Sequence, residues 1–258
     1  MTDFTFHSVT GTTMGLVVAD IQKSLMPPQK ESISDIPGRN GLYQMSKKFT
    51  TNTINVRCFL EGSSQADLVT KLQALAGYMY SDGDEVLTFD DESDRYYNAQ
   101  HIQTVIIQRT YRYCFIDLVF NCNDPFAYAV TETTDTQTIT ALATKYNVTN
   151  VGQYYTFPTF TITFNDTQTH IYIENTGIED NRFDIAKAFV ATDVLVVDCK
   201  NGTIKLNGSN SPSGFGDGGS GIADWVMLSS GVNEIQVGSD DSTINVTVAM
   251  AFNKVYLY

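Results

Sequence analysis

From Thr53 to Leu60 the chain alternates, with Ile54, Val56, Cys58 and Leu60 on one side and Thr53, Asn55, Arg57 and Phe59 on the other. A period of two predicts a strand buried on one face. A longer run, His101 to Cys122, places Cys114, Ile116, Leu118, Phe120 and Cys122 on one face and predicts a second strand of the same sheet. Between the two, Leu68, Leu72, Leu75 and Met79 recur at helical spacing. Their stripe predicts a helix lying on that sheet. Ser64 with Asp67 three residues on reads as its N-terminal cap, because a hydroxyl accepts from an orphan amide and an acid suits the positive end of the helix dipole. Gly77, then Ser81, Asp82 and Gly83, are read as its end.

Past Phe126 the composition turns Thr-rich and the strands shorten. Phe160, Ile162 and Phe164 alternate with Thr159, Thr161 and Thr163; Ile171 and Ile173 with His170, Tyr172 and Glu174; Ile244, Val246, Val248, Met250 and Phe252 with small or polar residues. Short alternating strands between turn signals predict an antiparallel sandwich. Asn201-Gly202, between Val194–Asp198 and Ile204–Leu206, predicts a tight hairpin. The fold class expected is therefore mainly β with one clear helix. Residues 1–133 form a β-rich domain with the helix packed on its sheet, and 134–258 form the sandwich.

Of the 258 residues, 42% are hydrophobic, enough for one large core or two ordinary ones. Twenty-nine acids against 16 bases leave a net charge of −13, the wrong sign for gripping a phosphate backbone. No apolar run approaches a membrane span, and no basic-then-apolar leader opens the chain, so a soluble protein without a signal peptide is expected. Cys58, Cys114, Cys122 and Cys199 are too scattered for a disulfide framework or zinc ribbon and are expected as buried reduced thiols. Along one strand, Cys114 and Cys122 stand about 26 Å apart, beyond the reach of a bridge.

Candidate chemistry is thin. His7, His101 and His170 lack metal-ligand spacing, and no nucleophile elbow surrounds any serine. Neither an enzyme, a cofactor nor a metal is called for. The Gly-rich segment Gly208 to Gly221 is followed by no helical periodicity, so it reads as a flexible loop and an interface candidate rather than a phosphate cradle. The acidic run Asp82, Asp84, Glu85, Asp90, Asp91, Glu92 and Asp94 lacks the EF-hand order and reads as a solvated hairpin. Five Asn-x-Ser/Thr sequons, at Asn147, Asn165, Asn201, Asn207 and Asn245, reflect Thr-rich strands. Trp225, Tyr154, Tyr155, Tyr172 and Phe215 could form a sugar-stacking platform, but core and rim packing explains them as well.

The order of signals carries more. Ile36-Pro37-Gly38-Arg39-Asn40-Gly41 before an alternating strand, then Phe59-Leu60-Glu61-Gly62 and a helix, then a strand ending in Asp124-Pro125-Phe126, resembles the N-terminal domain of siphophage distal tail proteins. The stretch Asp193 to Cys199, Asn201, Gly202, Leu206, Asn207, Gly208, and then Leu228, Gly231, Asn233, Glu234 and Ile235, resembles the family's C-terminal galectin-like β-sandwich. The resemblance spans nearly the whole chain. Arg39-Asn40-Gly41 stands where the family often has Arg-Asp-Gly, a change that keeps the turn chemistry. No segment is large enough to be the inserted carbohydrate-binding module of some relatives.

The resemblance implies a structural hub at the tip of a long non-contractile tail, with six copies in a ring around a channel. Its implied partners are further copies of itself, the major tail tube protein, a tail-associated lysin or tail fibre, and a receptor-binding protein. DNA would pass without specific binding, no membrane is involved, and the ring would be built in the host cytoplasm before joining the virion tail tip. Ring contacts are expected at Ile36, Pro37, Gly38, Arg39, Asn40 and Gly41 with the flanking Gly15–Ile21, and at Tyr111, Tyr113 and Phe115. Partner contacts are expected at Gly214, Phe215, Gly216, Asp217 and Trp225. The competing readings are a lectin-like protein that recognises a cell-surface glycan and, third, a glycan hydrolase with paired carboxylates.

Overall fold

The computed structural model describes residues 2–38, 40–216 and 224–258. The chain divides into two compact units, Met1–Val130 with Tyr256–Tyr258, and Thr131–Val255. The last three residues thus cluster with the first unit, outside the 134–258 domain expected from sequence.

The first unit contains β1 (Phe4–Phe6), β2 (Val9–Thr10), β3 (Leu16–Gln22), β4 (Gln29–Asp35), β5 (Leu42–Phe49), β6 (Asn52–Glu61), α1 (Gln65–Met79), β7 (Glu85–Phe89), β8 (Arg95–Arg109), β9 (Tyr113–Cys122) and β10 (Ala127–Ala129). One antiparallel sheet runs β2-β1-β7-β8-β9-β6-β3, with β10 on β8. The alternating residues of β6 and β9 meet as anticipated: Ile54 lies opposite Phe120, Val56 opposite Leu118 and Cys58 opposite Ile116. All six are fully buried against Leu68, Leu75 and Met79 of α1.

The run from His101 to Cys122 is not one strand. It folds back at Thr110–Arg112, where the Thr110 amide donates to the Tyr113 carbonyl at 2.8 Å. The turn carries no Gly, Pro or Asn, so nothing in the local sequence announces it.

α1 begins as its cap predicts. Ser64 Oγ accepts from the Asp67 amide at 3.2 Å, and the Asp67 carboxylate reaches back to the Ser63 amide at 2.7 Å. The Ser63 amide and hydroxyl together hold Asp67 below the usual carboxylate range. Gly77 does not end the helix; it sits inside it, and the chain leaves at Tyr80 with extended backbone. Gly62, just before the cap, allows a close crossing, since a Cβ there would lie 2.7 Å from the Leu68 nitrogen.

Asp82 and Asp84 precede β7, and the rest of the acidic run falls on the β7–β8 hairpin and its 3-10 turn, Asp90–Glu92. Glu92 is the exception to solvation. It pairs with Lys23 at 2.9 Å, both side chains nearly buried, and the ammonium lies 4.0 Å from the centre of the Phe89 ring.

The second unit is a sandwich. Its strands are β11 (Thr133–Ile139), β12 (Thr144–Asn150), β13 (Thr159–Phe164), β14 (Gln168–Asn175), β15 (Arg182–Phe189), β16 (Val194–Asp198), β17 (Thr203–Leu206), β18 (Ser209–Asn210), β19 (Gly231–Gly238) and β20 (Val246–Phe252). One sheet runs β11-β20-β13-β16-β17-β18 and the other β12-β19-β14-β15. The inward residues of the two sheets interdigitate: Phe164 of β13 stacks on Phe189 of β15 at 4.1 Å, and Phe160 meets Phe183 edge-on at 5.7 Å. The threonines of β13 line its other face, as the alternation predicts.

Gly202 takes φ +62° in the β16–β17 turn, and Asp198 accepts from the Lys200 and Asn201 amides at 3.0 Å each. All four cysteines are free and buried, and burial pushes the Cys58, Cys122 and Cys199 thiols up to about 12.

Two outcomes test this packing. Gly62→Ala forces a backbone shift at the start of α1 and lowers stability by about 1–3 kcal/mol, read from the urea midpoint. Asp67→Asn lowers the thermal midpoint at neutral pH. Because the folded-state pKa of Asp67 is depressed, its contribution is present above the unfolded value and fades as pH falls through the folded one. The gap between variant and parent therefore closes in acid.

Candidate assembly surfaces

Two stretches of the first unit's main sheet, β3 and the outer half of β8, present backbone with no second neighbouring strand among the described residues. β3 pairs with β6 alone. Past His101, β8 pairs only with β9, since β7 meets it at Tyr97–Ala99. A row of unpaired N–H and C=O groups is a template for another chain's strand.

Along β3 runs a groove of about 580 Å³, lined by Val17, Val18, Ala19, Asp20 and Ile21 with Phe59, Thr2 and Asp91. At the other edge, two register shifts in β8, at His101/Gln103 and Ile106/Gln108, break the in-out alternation. Ile102, Val105, Ile106 and Ile107 are left 39–56% exposed. Proteins that stay single usually guard such edges with charge.

The third surface is the β4–β5 hairpin, which pairs with no other described strand. Two-stranded ribbons are marginal alone in water, and this one spends its apolar residues outward: Ile33, Leu42, Tyr43 and Met45 are each at least half exposed. Residues 29–49 also hold four of the chain's 16 bases, Lys30, Arg39, Lys47 and Lys48, against two acids, Glu31 and Asp35. Lys30 stands directly opposite Lys48, a repulsive cross-strand pair. A basic, apolar ribbon on an acidic protein suits an acidic, apolar groove.

Of the ring residues read from sequence, Ile36, Pro37, Gly38, Asn40 and Gly41 form the tip of this hairpin, exposed, with Gly38 and Gly41 at φ +84° and +86°. Arg39 lies outside the described residues. Tyr111 is in the β8–β9 turn and not in a long strand, and it is 68% exposed. Tyr113 and Phe115, on β9, both pack against Phe59 of β6, at 5.7 and 5.3 Å between ring centres. Next to them Arg57 forks onto Asp117 at 2.9 and 3.1 Å, and this pairing holds the guanidinium above its usual value.

The expected partner loop is more anchored than its composition suggested. Gly214 accepts from the Ala186 amide at 2.9 Å and Gly216 donates to the Asp184 carbonyl at 2.8 Å, so this segment lines β15. Phe215 stacks on Trp225 at 4.7 Å. Asp217 lies outside the described residues. The other platform candidates do not join this pair: Tyr172 is covered by the Arg182 guanidinium at 3.7 Å, and Tyr154 stacks with Tyr155 at 4.3 Å. His101 bonds Thr104 at 2.8 Å, and burial lowers its pKa.

Sequence reading missed the apolar β8 edge and the outward apolar residues of β4–β5. A signal existed, because Val105-Ile106-Ile107 puts three apolar residues in succession where a one-faced strand allows alternate ones.

Comparisons with known proteins bear on the whole chain. Residues 9–122 match a family model described as a phage tail protein RIFT-related domain, and residues 151–256 match the C-terminal domain of the siphovirus-type tail component family. The chain belongs to the siphophage distal tail protein family. It is 27% identical to the distal tail protein of Bacillus phage SPP1 over 184 residues, 70% of this chain and 69% of that protein. It superposes on the crystal structure of the SPP1 distal tail protein with a TM-score of 0.82 at 18% identity, covering 100% of both chains. That structure is described as a paradigm of the hub adsorption apparatus in phages that infect Gram-positive bacteria. The match establishes a shared mainly-β fold from one end of the chain to the other.

The hairpin's exposure has a direct readout. In copies held apart by dilution, trypsin cuts at Lys30, Lys47 or Lys48 before it cuts within either core, because a two-stranded ribbon with no further neighbour opens readily and exposes its chain. Mass spectrometry of the first fragments checks this.

Proposed function

We propose that this protein is the hub of a siphophage tail tip, six copies closing into a ring that joins the tail tube to the lysin or fibre and the receptor-binding apparatus. Family membership supports the place in the virion. The observation that carries the ring is the pair of open edges on one sheet. β3 and the outer half of β8 differ in sequence and lie on opposite sides of the same sheet, so copies meet head to tail. Such a heterologous contact repeated by rotation closes into a ring. The β4–β5 ribbon, basic and apolar, then finds its covering on an acidic neighbour, and the tip residues Ile36, Pro37, Gly38, Asn40 and Gly41 lie at that joint with Tyr111, Tyr113 and Phe115 beside the β8–β9 turn.

In this reading the protein works by position and performs no covalent step. The central channel is walled by an acidic chain, so DNA passes without being held. The sandwich offers the Phe215–Trp225 corner to adhesion proteins. Assembly takes place in the host cytoplasm, before the tail is complete.

Light scattering tests the ring. The parent protein is expected at about six copies, and Leu42→Glu with Met45→Glu is expected to give a folded single chain. Burying each large apolar side chain contributes about 1.5–3 kcal/mol, so losing both weakens association by at least about a hundredfold. A parent protein that stays single at high concentration, with native circular dichroism, overturns the proposal.

A further inference from the structure

The second unit holds a buried histidine. His170, on β14, is 4% exposed. Its Nδ1 accepts from the Asp240 amide at 3.0 Å. The ring therefore carries its proton on Nε2, which lies 3.1 Å from Asp184 Oδ1 without the alignment of a hydrogen bond. Asp184 is fully buried and is held from the side by Arg182 through two bonds of 2.8 and 3.0 Å. The carboxylate of Asp240 itself stands 3.5 Å from Nδ1 and is 56% exposed.

We propose that His170 makes the β19–β20 connection an acid-responsive element, with two discrete arrangements selected by one proton. Imidazole ordinarily changes charge between about pH 5 and 8. In the neutral arrangement Nδ1 is an acceptor and pins the backbone at Asp240. A proton added at Nδ1 turns it into a donor facing another donor, so the bond from the Asp240 amide breaks. The acceptor at hand is the carboxylate of the same residue, which draws in onto the ring. The imidazolium then lies between two carboxylates, Asp184 and Asp240, and the surface loses an exposed negative charge.

The surroundings favour this exchange over unfolding. The flanks stay tethered: Ser239 Oγ donates to the His170 carbonyl at 2.7 Å, and Asp241 accepts from the Thr169 amide at 2.6 Å and from its hydroxyl. Burial alone would raise the Asp241 carboxyl, but the Thr169 and Ser239 donors hold it below its usual range, so this tether outlasts the first proton. Among the described residues Arg182 shares Asp184 Oδ1 with the ring, and the carboxylates of Asp184, Glu174 and Asp240 offset its charge. Arg182 is spent on Asp184 and Glu174, Lys187 on Ser211 and Ser213, and the remaining neighbour on β14 is the Tyr172 ring at 6.1 Å.

Hydrogen exchange of the full-length protein, corrected for the intrinsic pH dependence of amide chemistry, tests the proposal. Between pH 8 and pH 5.5, the peptide spanning residues 238–243 should lose about tenfold in protection, the cost of one backbone hydrogen bond, while peptides from β13 stay unchanged. His170→Asn keeps an acceptor for the Asp240 amide but cannot take the proton, so its protection should be the same at both pH values. Asp240→Asn removes the catching carboxylate and should shift the imidazole titration, followed by ¹³C-histidine NMR, to lower pH. Equal protection of the parent across the range, an H170N response identical to the parent, or an imidazole titration unmoved in D240N each overturns the proposal. Circular dichroism of both variants confirms that they are folded.

Discussion

A backbone amide or carbonyl at the edge of a sheet must be paired, hydrated or covered. Among the described residues of the first unit this requirement is left open at β3, at the outer half of β8 and along β4–β5. The open groups are accompanied by Ile102, Val105, Ile106, Ile107, Leu42 and Met45 turned toward solvent. Charge is spread unevenly over these edges: β4–β5 carries Lys30, Lys47 and Lys48 and β3 carries Asp20, while Ile102 and Val105–Ile107 of β8 have no charged residue among them. The unit's shape is complete; its surface is not.

The two units meet the same constraint differently. The first buries one face of its main sheet under α1 and leaves the Arg57–Asp117 and Phe59–Phe115 face without a helix above it. The second closes two sheets on each other through Phe160, Phe164, Phe183 and Phe189, so its strand interiors are hidden. It also uses side-chain amides where a ladder is missing. Asn181 both accepts from the Met227 amide and donates to the Trp225 carbonyl, and Asn175 donates to the Met227 carbonyl. These buried amides hold the chain ahead of β19 beside the short Thr156–Leu228 bridge, a satisfied polar network inside an apolar core.

Buried ionic groups divide in the same way. Lys23–Glu92 sits against the Phe89 ring, where removing either partner would leave a buried charge. His170, Asp184 and Arg182 form a second set inside the sandwich. Neither set has a sequence signature, because its members are distant along the chain: position 23 meets 92, and 170 meets 184 and 240.

Local pattern determined the elements and their inner faces. The alternation of β6, β9, β13 and β20, the Leu68–Leu72–Leu75–Met79 stripe, the Ser64 cap and the Asn201-Gly202 turn were all legible, because period and turn chemistry act between residues close in sequence. The order of turn signals was enough to suggest the family. Tertiary structure alone decided where the ladder stops, which strands are edges, that His101 to Cys122 is a hairpin, that two bulges turn the β8 isoleucines outward, and that Gly214–Gly216 lies along β15. These follow from which strand stands beside which, and from charges that meet only after folding, and pairing over long sequence separations leaves no mark in a local window.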